Sequence, residues 1–220
     1  MNVVPSTEPS ERAERRNPSG AVFWVFVFLA ISIQPQVPAF AQVSPFSDTR
    51  GSVHEADIAL IADWGLTSGC APDRFCPGDT LTRGQMAAFM RRSFLTPTSQ
   101  YDYFSDDQGS VFEGDINSIT GVGITTGCNP PTSTRYCADD GITRGQMAAF
   151  LRRTLSLPSG PDVFSDDNDS IFEEDINALA AAGIAKGCSD SRFCPDDVIT
   201  RAQMASFLVR ALDHLGCREA

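Results

Sequence analysis

Three stretches of this 220-residue chain read almost alike: Leu81-Thr82-Arg83-Gly84-Gln85-Met86-Ala87-Ala88-Phe89, Ile142-Thr143-Arg144-Gly145-Gln146-Met147-Ala148-Ala149-Phe150 and Ile199-Thr200-Arg201-Ala202-Gln203-Met204-Ala205-Ser206-Phe207. Self-similarity of this kind marks an array of one supersecondary unit. Working outward, Phe46-Ser47-Asp48, Phe104-Ser105-Asp106 and Phe164-Ser165-Asp166 open the copies at intervals of 58 and 60 residues, and Gly65-Leu66, Gly123-Ile124 and Gly183-Ile184 keep the same intervals. The Thr-Arg step is 61 and then 57, because the second copy has three extra residues between Cys128 and Cys137.

Residues Ala21 to Ile33 are an apolar run of 13, preceded by Arg12, Arg15 and Arg16 and followed by Pro38-Ala39-Phe40-Ala41. That layout predicts a secretory signal peptide over 1–41, cleaved after Ala41. A membrane helix needs about 20 apolar residues, so a cleaved leader is expected in preference to a retained anchor. The remainder divides into repeats at 42–99, 100–159 and 160–220, with no linker and no room for a separate catalytic domain. The net charge of −11 and a single lysine, Lys186, leave no basic stripe, so nucleic acid is excluded as a partner.

Six of the seven cysteines recur at equivalent places: Cys70 and Cys76, Cys128 and Cys137, Cys188 and Cys194. In an exported chain these suggest disulfides, most simply within each repeat, although six cysteines allow 15 pairings. Zinc is disfavoured by the spacing and by histidines, His54 and His214, that do not recur. Cys217 is left over, as a free thiol or a bridge for self-association.

Each copy predicts two helices, which makes the fold class all-α. The first is expected to open with a capping box, Ser52 with Glu55, Ser110 with Glu113 and Ser170 with Glu173. Apolar residues follow at helical spacing: Ile58 and Ile61; Phe112, Ile116 and Ile119; Phe172, Ile176 and Leu179. It ends at Gly65, Gly123 or Gly183, each followed by Leu or Ile as a Schellman motif requires. The second opens at Thr82 with Gln85, Thr143 with Gln146 and Thr200 with Gln203, and carries a Met-Phe face that three copies can bury together.

Arg83, Arg144 and Arg201 then stand beside Gly84, Gly145 and Ala202 at three helix starts. Free amides, a guanidinium and a neighbour small enough to admit a ligand together suit a carboxylate. Asp48, Asp106 and Asp166 read as turn residues bordering that site. The acidic stretch from Asp166 to Ser170 resembles the start of a calcium loop, but Ile171 and Asn177 stand where such a loop needs Gly and Glu. No cofactor, metal or catalytic constellation is expected, and the chain is read as a non-enzyme.

These motifs resemble the S-layer homology domain, whose pattern runs from Phe-x-Asp through a Gly-Ile turn and a Phe-x-Pro loop to a Thr-Arg-Ala-Glu segment. The counterparts of the last two are Phe75-Cys76-Pro77, Tyr136-Cys137-Ala138 and Phe193-Cys194-Pro195, and the three Thr-Arg segments. Gln replaces Glu throughout, His54, Phe112 and Phe172 replace a frequent Trp, and the cysteine pairs are additional. The resemblance implies three tandem helix-loop-helix repeats in a pseudo-threefold bundle with projecting prongs. It implies a secreted surface protein that holds cell-wall-linked polysaccharide in grooves between the prongs, with the family's binding arginine at Arg83, Arg144 and Arg201. An S-layer or envelope protein assembling through protein contacts is the alternative.

Overall fold

The structure, a computed structural model, describes residues 44–217; the expected leader lies outside them. Among the described residues there are six α-helices and no strands: α1 (Glu55–Asp63), α2 (Arg83–Phe94), α3 (Glu113–Gly121), α4 (Arg144–Leu155), α5 (Glu173–Ala181) and α6 (Arg201–His214). None is long and apolar enough to cross a membrane.

The second helix of each repeat begins where its residues require. Thr82, Thr143 and Thr200 accept the amides of Gln85, Gln146 and Gln203, whose side chains return to the threonine amides. Two of the four orphan donors at each helix start are satisfied in this way. The first helix differs from expectation. It begins at Glu55, Glu113 or Glu173, with no side-chain cap, because Ser52, Ser110 and Ser170 accept the amides of His54, Phe112 and Phe172 instead. A serine that bonds the amide two residues on makes a turn that delays the helix. Glu55 and Glu113 reach back to Gly51 and Gly109, at 2.8 and 2.9 Å.

The Schellman ends form as read. Gly65 (φ 70°) donates to Ala62 and Leu66 to Ile61, and the same pair of bonds recurs at Gly123-Ile124 and Gly183-Ile184. Each turn delivers the chain to a cysteine-bracketed loop closed within its own repeat, Cys70–Cys76, Cys128–Cys137 and Cys188–Cys194.

Helices pair between repeats: α2 packs on α3, α4 on α5, and α6 returns to α1. At the centre Leu81, Ile142 and Ile199, all fully buried, pass backbone bonds in a cycle: Leu81 donates to Ile199, Ile199 to Ile142 and Ile142 to Leu81, at 2.9 to 3.0 Å. The Met-Phe faces lie in one core around them, with Met86, Met147 and Met204 fully buried. The chain is therefore closed on itself, first repeat to last.

Candidate functional site

Every repeated arginine is inserted into another repeat. Arg83 Nε donates to Tyr136 O (2.8 Å), Arg144 Nε to Phe193 O (2.7 Å) and Arg201 Nε to Phe75 O (2.8 Å). The guanidinium carbons lie 4.7, 4.6 and 4.8 Å from the ring centres of those same aromatics. A second ring, Phe150, Phe207 or Phe89, lies at 5.7, 5.6 or 6.0 Å. Tyr136 completes its pair by donating its hydroxyl to Arg83 O. Only 4 to 6 % of each arginine is exposed, and burial draws each guanidinium below its usual pKa. A buried charge needs partners, and the carbonyl and the ring faces supply them.

Two expectations about these helix starts are corrected. The amides are not free. Arg83 and Gly84 donate to Asp140 O and Ala138 O, Arg144 and Gly145 to Asp197 O and Pro195 O, and Arg201 and Ala202 to Asp79 O and Pro77 O. Nor do Gly84 and Gly145 make room for a ligand. A Cβ at Gly84 would stand 2.5 Å from the Phe112 ring, and one at Gly145 2.6 Å from the Phe172 ring, so each glycine admits an aromatic of the next repeat. In the third repeat this position holds Ala202, and the first repeat carries His54 where the others carry Phe112 and Phe172.

Asp48, Asp106 and Asp166 are the staples of the cysteine loops. Asp48 accepts the amides of Phe75 (2.8 Å) and Cys76 (2.9 Å) and the Nε of Arg74; Asp106 takes Tyr136, Cys137 and Arg135, and Asp166 takes Phe193, Cys194 and Arg192. Burial opposes their ionisation, but the amides and arginines outweigh it and hold all three below the usual carboxylate range.

What remains open is a set of grooves at the inner edges of the arginines. One of about 330 Å³ is lined by Arg201, Arg92, Gln85, Asp79, Phe89 and Phe112. Another of about 340 Å³ lies at the seam between third and first repeats, lined by Arg144, Arg210, Lys186, Asp197, His54 and Ser206. Arg92 and Arg210 occupy the same repeat position and rest on turn carbonyls, Leu66 O and Ile184 O. The NH2 nitrogens of Arg83 and Arg201 are buried without a partner, whereas that of Arg144 donates to Lys186 O at 3.1 Å. Sequence reasoning missed the second arginine, Arg92, Arg153 or Arg210, although its recurrence three residues after the repeated Phe was visible.

The array is thus helical, its repeats are tied by buried arginines, and grooves lined by arginines and aromatic rings lie between them. Residues 163–205 match the sequence model of the S-layer homology domain family.

Similar proteins include an endoglucanase of Bacillus sp. (strain KSM-635), 27 % identical over 74 % of this chain and 18 % of its own length. An amylopullulanase of Thermoanaerobacterium thermosulfurigenes is 26 % identical over 82 % of this chain and 10 % of its own. An S-layer protein of Bacillus thuringiensis subsp. finitimus is 24 % identical over 74 % and 20 %. The chain thus matches a fifth or less of the length of these relatives, and the family match together with the S-layer protein points to the cell surface.

Proposed function

We propose that this chain is a secreted, non-catalytic surface module that binds a cell-wall-linked polysaccharide in the grooves between its repeats. The observation that carries the reading is a groove of about 330 Å³ that brings Arg201 and Arg92 together with the rings of Phe89 and Phe112. A carboxylate or hydroxyl of a glycan suits the guanidinium donors that line such a groove. Aromatic faces suit the apolar faces of sugar rings. Arg83 and Arg153 hold the equivalent positions for the second repeat. Asp48, Asp106 and Asp166, saturated by amides, act on this site through the loops they hold.

The non-catalytic reading draws on the one Ser-His-Asp contact among the described residues. Ser206 lies between His54 (2.7 Å) and Asp57, is 2 % exposed, and gives its hydroxyl proton to Asp57. A nucleophilic serine gives that proton to the histidine, whereas this one gives it to the carboxylate, so the arrangement is a packing contact.

Sedimentation with purified wall sacculi tests the proposal. Arg92→Ser, Arg153→Ser and Arg210→Ser together alter the groove rims and spare the three clamping arginines. Loss of sedimentation with unchanged circular dichroism is expected; undiminished sedimentation contradicts groove binding. Assembly through protein contacts is favoured by one feature, the exposed and unpaired Cys217. A disulfide dimer on non-reducing electrophoresis that ignores wall fractions would support that reading instead.

A further inference from the structure

The grooves do not carry the same side chains, and the differences gather at the seam. Where the second and third repeats present Phe112 and Phe172, the first presents His54; where α2 and α4 carry Ala88 and Ala149, α6 carries Ser206; where they carry Arg91 and Arg152, α6 carries Val209. These three changes are linked. Asp115 pairs with Arg91 (2.8 Å) and Asp175 with Arg152 (3.2 Å), whereas the equivalent Asp57 takes its hydrogen bond from Ser206. A hydroxyl has one proton to give. With that proton on Asp57, Ser206 Oγ is left as an acceptor toward His54 Nδ1, so Nδ1 carries the ring proton. Nε2 makes no hydrogen bond among the described residues; it is a bare acceptor in the neutral ring and a donor in the cation.

The ring lines the seam groove beside Arg144, Arg210 and Lys186, the only lysine of the chain. In the groove around Arg201 the places of Lys186 and His54 are taken by Ser68 and Phe112.

We propose that the seam groove is a pH-regulated saccharide site, in which protonation of His54 converts an acceptor of a sugar hydroxyl into a donor to an acidic sugar's carboxylate. This rests on the groove-binding reading above. The charged groups around His54 are Asp57 from α1, Arg210 from α6, Arg144 from α4, and Lys186 and Asp197 from the third repeat's loop. Burial holds the imidazole below 6.5, Asp57 draws it upward and Arg210 pushes it down. The switch therefore lies on the acid side of neutrality, and a bound carboxylate raises it.

The test is calorimetric titration of the full chain with D-glucuronate and D-glucose at about pH 5 and pH 7.5, with the His54 Cε1 proton followed by NMR and exposed His214 as reference. Glucuronate binding is expected to tighten roughly tenfold on acidification, the equivalent of one pKa unit in His54, while glucose binding does not. Lys186→Ser should weaken glucuronate at both pH values. The pair His54→Phe and Ala202→Gly recreates a Phe-Gly contact the fold already holds twice, and should abolish the gain. A gain that survives in that pair, or glucuronate binding without any gain in the wild type, overturns the inference and leaves groove binding standing. If neither sugar binds at either pH, both fall.

Discussion

At the residue scale, Asp107 and Asp167 are the least comfortable side chains. Both are buried, at 1 and 0 % exposure, and neither carboxylate meets a donor from another residue. Burial pushes Asp107 from 3.8 up to about 6, helped by Asp102, Glu113 and Asp106 and opposed by its own backbone amide. The first repeat has Thr49 at this place, with its hydroxyl given to Phe46 O. Because the folded carboxyl keeps its proton between about pH 4 and 6 while the unfolded one releases it, this group's contribution is whole below pH 4 and is lost as pH rises through 6. At 1.36 kcal/mol per unit the loss is about 3 kcal/mol. Asp107→Thr should therefore be more stable than wild type at pH 7.5 by about that amount, and the gap should close near pH 4 in denaturant titrations. An equal gap at both pH values would contradict this. Asp48, Asp106 and Asp166 act with the opposite sign: their stabilisation is present above the unfolded carboxylate pKa and is lost below it as pH falls.

At the element scale, what was legible was local. The second-helix caps and the Gly-Leu and Gly-Ile turns were readable because each is completed within six residues. The start of the first helix was not, because Ser52, Ser110 and Ser170 had two amides within reach and took the nearer one. The reason for Gly84 and Gly145 was hidden in another repeat. It was nevertheless written in the pairs Gly84 with Phe112 and Gly145 with Phe172, readable once α2 is known to face α3 and α4 to face α5. Gly84→Ala should cost about 1–3 kcal/mol by overpacking, and adding Phe112→His should recover most of it. Additive costs in that double-mutant cycle would show that the two positions are not coupled.

At the scale of the whole molecule, the repeated arginine has a structural task that sequence alone could not show. Its partners lie 53, 49 and 126 residues away, and local pattern carries no signal over such distances. The all-helical class was legible from periodicity, but closure of the chain by α6 on α1 was not. Arg201 is the clamp that spans first and last repeats, bonding Phe75 O across that closure. A charge-assisted hydrogen bond and two ring contacts make each clamp worth about 2–4 kcal/mol. The proposed glycan site is then what the clamps leave over: guanidinium edges, a second arginine and aromatic walls facing the gaps between repeats.

The central claim is that these arginines join the repeats into one cooperative unit. In the full chain with Trp24→Phe, Trp64 of the first repeat is the only indole, and its fluorescence can be compared with far-ultraviolet circular dichroism during urea unfolding of Arg201→Ala. The account predicts one coincident transition at a lowered midpoint, since a change in the third repeat loosens the first. A Trp64 transition left at the wild-type midpoint, while the helical signal of the other repeats shifts, would contradict it.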